Sequence, residues 1–399
     1  MPPSDRGGFD PDRLDDLQRP GNLVPRILRQ DPDPGSSDSA PGLTDIRVIG
    51  IGGAGNNAVN RMVAAELEGV EFVAVNTDAQ DLTASNAHRR LLIGSRATDH
   101  LGSGGDPRLG ERAATESSDE LADLVDGADM VFITAGMGGG TGTGATPILA
   151  DRAMEAGALT VAVVTVPFTF EGSRRVQVAR HGLAELESRV DALITLHNNK
   201  LLEHASAGTA FADAFQMADE MLHRGVQGVT DLITSTGLVN VDFADVRSVM
   251  RDSGTAMMGV GEAAGEERAL RAVRQAMESP LLDTSIDDAR GVLINITASD
   301  DVAIAEINAA AEHVTAVAAP DANIIFGTVV DPRMGQSIRV TLIATGFQAA
   351  SATEAARSGR SQHRSSGRGP MAGTRRDRGA SLADDEVDVP DFLRRRSPS

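Results

Sequence analysis

The chain has 399 residues, room for two or three domains, and 41% of them are hydrophobic, so a sizeable core is available and a wholly disordered chain is excluded. Lys and Arg number 37 against 57 Asp and Glu; the two ends of the chain balance, so residues 44–347 carry the entire charge of −20, which argues against nucleic-acid binding. Cysteine is absent, which excludes disulfides, zinc–thiolate sites and cysteine nucleophiles and fits a cytoplasmic setting.

The N-terminus, MPPSDRGGFD, lacks the basic-then-apolar pattern of a signal peptide, and no apolar run approaches the ~20 residues that span a bilayer. Residues 1–43 are rich in Pro, Asp, Gly and Ser and read as a flexible arm, with a short amphipathic piece around Leu23 to Leu28. Five continuous apolar runs follow: 46–51, 71–76, 129–135, 159–166 and 191–196. Helical patterns separate them at 55–66, 108–125, 144–157 and 174–188. This alternation predicts an α/β fold, an open, doubly wound, mostly parallel sheet of Rossmann-like type, over residues 44–205.

Residues 206–236 carry a long helical pattern, about 209–235, with Phe211, Phe215, Ala218, Leu222, Val226, Val229 and Ile233 at three- and four-residue spacing. Gly237 is expected to end it. Residues 237–347 then read as a second, smaller α/β domain, with strands in GTAMMGVGEA, GVLINITAS, ANIIFGTVV and SIRVTLIATGF and helices near 265–278 and 302–316. Residues 348–383 have the composition of a disordered linker, and apolar residues return in a terminal peptide, 384–399.

Two glycine loops carry the chemistry. Gly50-Ile51-Gly52-Gly53-Ala54-Gly55 sits between a strand and a helix, where phosphate meets free backbone N–H groups and the helix dipole. Alone it also matches a dinucleotide fingerprint, with Asp78 near the place of a ribose-binding acid, so a NAD-dependent dehydrogenase stands as an alternative. The second loop, 136–144, has six glycines and two threonines in nine residues. Such backbone curls into a nest of N–H donors, and the threonine hydroxyls can add more. It is not a P-loop, which needs a lysine; the only lysine of the chain is Lys200. Phosphates must then be held by backbone dipoles and metal. Two such loops on neighbouring strand ends predict a nucleotide with several phosphates. A third loop, 102–107, is a candidate sensor of the terminal phosphate.

GGAGNN (52–57), VNTDAQ (75–80), AGMGGGTGTGA (135–145), PFTFEGSRR (167–175), VQGVTDLIT (226–234), GLVNVDFADV (237–246) and AMMGVG (256–261) together resemble the FtsZ family of tubulin-like GTPases, over about 45–347. The segment HLGSGGDPRLG is a looser match. The resemblance implies a cytoplasmic, cytoskeletal GTPase that binds GTP or GDP with Mg²⁺. It implies head-to-tail self-assembly into filaments and a cell-division ring at midcell. By motif, Gly53, Ala54, Gly55, Asn56 and Asn57 would surround the diphosphate, and Gly140, Thr141 and Gly142 would form the main phosphate loop. Glu171 would contact the ribose and Arg175 phosphate or sugar, while Asn198 and Asp219 would contact guanine or ribose. Phe215, four residues before Asp219, would share its helix face and could stack on the base or lie in the core.

Asn240, Asp242 and Asp245 would reach the nucleotide of the next subunit and position or polarise the attacking water. On residue pattern alone Asp242 is also an N-cap candidate. No direct metal ligand is identified. The peptide DVPDFLRRR resembles the short sequence with which the family docks membrane tethers and regulators; Val389, Pro390, Phe392, Leu393 and Arg394 would make that contact, with no direct membrane insertion and no nucleic acid. A non-hydrolysing tubulin-like regulator remains the second alternative.

Overall fold

The structure, a computed structural model, describes residues 28–29, 44–202, 209–235, 237, 239, 241–279, 281–282 and 286–347. The expectations for the rest of the arm 1–43, the linker 348–383 and the peptide 384–399, with Val389, Pro390, Phe392, Leu393 and Arg394, lie outside the described residues. So does Asn240.

The strands are β1 (Leu28–Arg29), β2 (Ile46–Ile51), β3 (Glu71–Asn76), β4 (Arg89–Leu92), β5 (Met130–Gly136), β6 (Leu159–Val166), β7 (Ala192–His197), β8 (Gly254–Ala264), β9 (Gly291–Ala298), β10 (Asn323–Val330) and β11 (Ser337–Thr345). They lie in the order β1-β4-β3-β2-β5-β6-β7-β8-β11-β9-β10. From β4 to β7 every pairing is parallel. β1 adds antiparallel to the outer edge. The helices are α1 (Gly52–Ala64), α2 (Ala79–Thr83), α3 (Ser95–Thr98), α4 (Pro107–Glu116), α5 (Ser118–Val125), α6 (Thr141–Glu155), α7 (Ser173–Glu187), α8 (Asn198–Leu201), α9 (Phe211–Thr234), α10 (Phe243–Met250), α11 (Arg268–Met277) and α12 (Ile304–Val317).

All eight residues of β6, LTVAVVTV, are buried, as a central parallel strand covered on both faces requires. The two-residue side-chain period sorts the core. Ile46 and Val48 join Met62 of α1 and Leu222 and Val226 of α9 on one face. Ile49 and Ile51 join Leu121, Leu124 and Leu149 on the other. A third cluster fills the space between α11, α12 and the second half of the sheet.

β8 belongs to both halves. Gly254, Thr255 and Ala256 pair in parallel with β7, and Met257 to Ala264 pair antiparallel with β11. α9 is shared as well: Leu293 of β9 and Ile343 of β11 sit in the same core as its Leu222 and Val229. At Gly228 of α9 an added Cβ would come 2.5 Å from Cγ2 of Thr341, so the helix backbone packs directly on that side chain of β11.

The structure departs from the sequence expectations locally. The single helix expected over 108–125 is two helices broken at Ser117, whose hydroxyl accepts from the Gly94 N–H at 3.2 Å. α9 ends at Ser235 in an extended conformation, so Gly237 is not its left-handed cap. β4 extends the predicted element set; it is short and half arginine, with only Leu91 fully buried, whereas α10 starts at the N-cap expected of Asp242.

Candidate nucleotide site

The order β4-β3-β2-β5-β6-β7 reverses direction between β2 and β5, and open α/β sheets bind ligands in the crevice beyond the strand ends at such a point. Both glycine loops lie there, because one follows β2 and the other follows β5, its parallel neighbour. Between them is a cavity of about 610 Å³, within the usual range for small-molecule sites.

Helices α1 and α6 begin at this cavity, and neither has a side-chain N-cap bond. Their first N–H groups are therefore left for an anion. The loops meet backbone to backbone. Gly52 has φ +69°, and an added Cβ would sit 3.0 Å from the Gly142 nitrogen. At Gly140 an added Cβ would collide with Ser103 Oγ, so the third loop closes directly on the second. Three buried hydroxyls join them: Thr141 Oγ1 lies 2.7 Å from Thr77 Oγ1 and 3.0 Å from Ser103 Oγ. Thr143 is turned inward, its Oγ1 accepting from the Gly138 N–H at 2.8 Å. Thr141 thus ties the second loop to the third, while Thr143 braces its own loop.

The opposite wall is polar and aromatic. Glu171 accepts from the Phe168 N–H at 2.9 Å and pairs with Arg175 at 2.7 Å. Asn198 is buried, and its Oδ1 has no partner. Phe215 lines the cavity half-buried, packed edge-on against Phe168 with ring centroids 5.4 Å apart. It therefore serves the core and the cavity together. Asp219 Oδ2 lies 3.5 Å from Arg61 Nε; burial pushes this carboxyl up to about 6 against the pull of Arg61.

Of the residues expected from the sequence, the cavity brings together Gly53, Ala54, Asn57, Gly140, Thr141, Gly142, Glu171, Arg175, Asn198, Phe215 and Asp219. Gly55 and Asn56 do not line it. Gly55 packs α1 onto Thr134 O of β5, and Asn56 is buried with neither carboxamide atom partnered. Asp242 and Asp245 are exposed and form no part of the lining. Asp242 caps α10, its Oδ1 accepting from the Asp245 N–H at 2.8 Å. Asp78, read as a ribose acid in the dinucleotide alternative, caps α2 instead, accepting from Gln80 and Asp81 N–H groups.

Asn76, Asp81 and Thr165 also line the cavity and went unassigned in the sequence. Asn76 and Thr165 lie at the carboxyl ends of β3 and β6. A polar residue closing an apolar strand is the signal that marks such positions. The third loop lines the cavity through Gly102, Ser103, Gly104 and Gly105. Among the described residues no group of three or more His, Asp or Glu is placed to hold a metal ion.

The lining suits a nucleotide with several phosphates: two uncapped helix starts for anions, an orphaned buried acceptor at Asn198, and a carboxylate beside an aromatic ring. Comparison with known proteins agrees. The tubulin/FtsZ family GTPase domain matches residues 45–206, and the FtsZ family C-terminal domain matches 254–348. The empty FtsZ dimer of M. jannaschii is 45% identical, with a TM-score of 0.74, over 76% of this chain and 89% of that one. CetZ2 of Haloferax volcanii, solved as a GTPγS-bound protofilament, is 22% identical with a TM-score of 0.66, over 78% of this chain and 96% of that one. CetZ1 of the same organism, a GDP-bound monomer, is 20% identical with a TM-score of 0.68, over 78% and 97%. The CetZ likeness establishes the fold alone. The GTPase match spans both glycine loops and replaces the dinucleotide reading of the first. At 45% identity over three quarters of its length, with both family domains in order, this chain belongs to the FtsZ family of tubulin-like GTPases.

Proposed function

We propose that the chain polymerises head to tail, hydrolyses GTP only where a second copy closes the cavity, and works as the filament of a cytoplasmic cell-division ring. The distribution of carboxylates carries the reading. The four that line the cavity are already engaged: Asp78 in a cap, Asp81 with Asn76 Nδ2, Glu171 with Arg175, and Asp219 with Arg61. Asp242 and Asp245 stand exposed on α10, outside the lining. In this reading the acid for the attacking water comes from another copy. The FtsZ dimer of M. jannaschii supports pairing between chains of this kind.

In this reading the starts of α1 and α6 hold the phosphates, with Gly53, Ala54 and Asn57 around the diphosphate and Gly140, Thr141 and Gly142 around the terminal groups. Glu171 accepts from ribose hydroxyls, Arg175 balances charge, Phe215 stacks on the base, and Asn198 and Asp219 read its edge. Mg²⁺ would enter on the phosphate oxygens and neutralise them, as a chain of charge −20 without a loop lysine needs. Asp242 and Asp245 of the next copy, with Asn240, orient the water and take its proton as it attacks the γ-phosphorus. GDP leaves, its developing charge facing the N–H groups of α6. A head-to-tail contact that does not close gives an open filament, so hydrolysis follows assembly. The terminal peptide docks membrane tethers and regulators.

Phosphate release and light scattering, followed together against protein concentration with GTP and Mg²⁺, test this. The expected rate per subunit is near zero below a threshold and rises with scattering. A rate per subunit that is flat from the lowest concentration would mean a self-contained enzyme.

A further inference from the structure

We propose that Arg61 is a positioning residue for base recognition: from α1 it holds the Asp219 carboxylate in place at the cavity wall, and so sets the preference for guanine. The proposal rests on Asp219 reading the base edge. Arg61 does not line the cavity. It reaches Asp219 from behind, across the packed α1–α9 contact, with Nε 3.5 Å from Oδ2. The Asp219 side chain is 16% exposed, and that exposed part faces the cavity beside Phe215 and Ala218. Guanine offers N1–H and N2–H side by side, and a carboxylate matches both only when it is ionised and correctly turned. Each carboxylate oxygen has two lone pairs, so Oδ2 can hold the guanidinium and still face a ligand.

Other charged groups around Asp219 are committed elsewhere. On α9, Glu220 turns to Arg224 at 2.9 Å and to His223 at 3.8 Å. Across the cavity, Glu171 and Arg175 pair with each other, Asp81 accepts from Asn76, and Asp78 caps α2. Lys200 on α8 has a partner of its own. Burial favours the neutral acid at Asp219, and Arg61 is the charge that opposes it. Without that guanidinium the carboxyl protonates at higher pH and loses the ion pair that holds it, and a protonated carboxyl turns a donor toward the N–H groups of guanine.

Equilibrium binding of GTP and of ITP, which lacks the 2-amino group, to the full chain with Mg²⁺ between pH 5 and 8 tests this. The variants are Arg61→Gln, Arg61→Lys and Asp219→Asn. Wild type should prefer GTP by about tenfold, a charged hydrogen bond's worth, and lose affinity as pH falls through about 6. Arg61→Gln should lose most of the preference and shift that fall upward by roughly 1 pH unit. Arg61→Lys should restore both. If Asp219→Asn abolishes the preference while Arg61→Gln leaves preference and pH profile intact, the proposal is overturned and the base contact stands. Equal loss of GTP and ITP at every pH in Arg61→Gln would also overturn it, as a merely structural role. If Asp219→Asn keeps the preference, the base contact itself fails and the proposal goes with it.

Discussion

The cavity wall and the start of α10 both display carboxylates, and they are built in opposite ways. In the cavity three of the four acids are tied to a side chain, Asp81 to Asn76, Glu171 to Arg175 and Asp219 to Arg61, and the fourth, Asp78, caps α2. On α10 Asp242 and Asp245 are exposed, and the one bond that Asp242 makes there is a helix cap. Partnered acids hold a ligand still. Exposed acids are free to meet something that arrives. The contrast suggests that binding belongs to a single copy and bond breaking to a pair.

The sharpest way to break this comparison is at α10. Asp242→Ala and Asp245→Ala are each expected to cut steady-state phosphate release by on the order of 10²–10³-fold, with GTP affinity by equilibrium dialysis unchanged. Normal turnover in both variants would remove α10 from the chemistry. Next in size is Gly140→Ala, whose Cβ meets Ser103 and the Asp106 backbone. It should weaken GTP binding by roughly tenfold or more, since it displaces the third loop and the hydroxyl cluster behind it.

A stability measurement separates the two ends of α9. Asp231 is a second, half-buried carboxyl on this helix, pushed up to about 6 by desolvation and lining no part of the GTP cavity. A folded-state value above the ordinary one stabilises at low pH, and that contribution is lost as pH rises past about 6. Asp231→Asn should therefore raise the unfolding free energy by about 1–3 kcal/mol at pH 8, with the gain fading toward pH 4. GTP affinity should not move. The smallest effect isolates the cap from the chemistry. Asn caps a helix about as well as Asp, so Asp242→Asn should change stability by less than about 0.5 kcal/mol, against about 1 kcal/mol lost in Asp242→Ala. Both should be equally inactive.

The buried parallel strands were legible because their signal is strong and local: an eight-residue run such as LTVAVVTV has few other readings. β4 was not, because Arg89 and Arg90 hide a four-residue strand whose reason to exist is its pairing with Val73 to Asn76. The break at Ser117 was invisible for a similar reason, since its hydroxyl answers a backbone N–H 23 residues away. In the site, glycine density pointed to the loops, yet sequence spacing could not tell which of their residues face inward. Asn56 and Asn57 are neighbours of one type, and the turn of α1 buries the first and opens the second to the cavity. Arg61 carries no motif, and its meaning comes only from the helix packed against it.

The join at β8 has a mechanical side. Three residue pairs tie this strand to β7, and eight tie it to β11. A pull on the second half of the chain reaches the first through that short ladder and through the core that α9 shares with both. Of the two ladders the eight-rung one should hold while the three-rung one shears. Its inner side is β7, and the next residue along is Asn198, at the cavity wall. Strain in a stretched filament would thus be felt first beside the bound nucleotide.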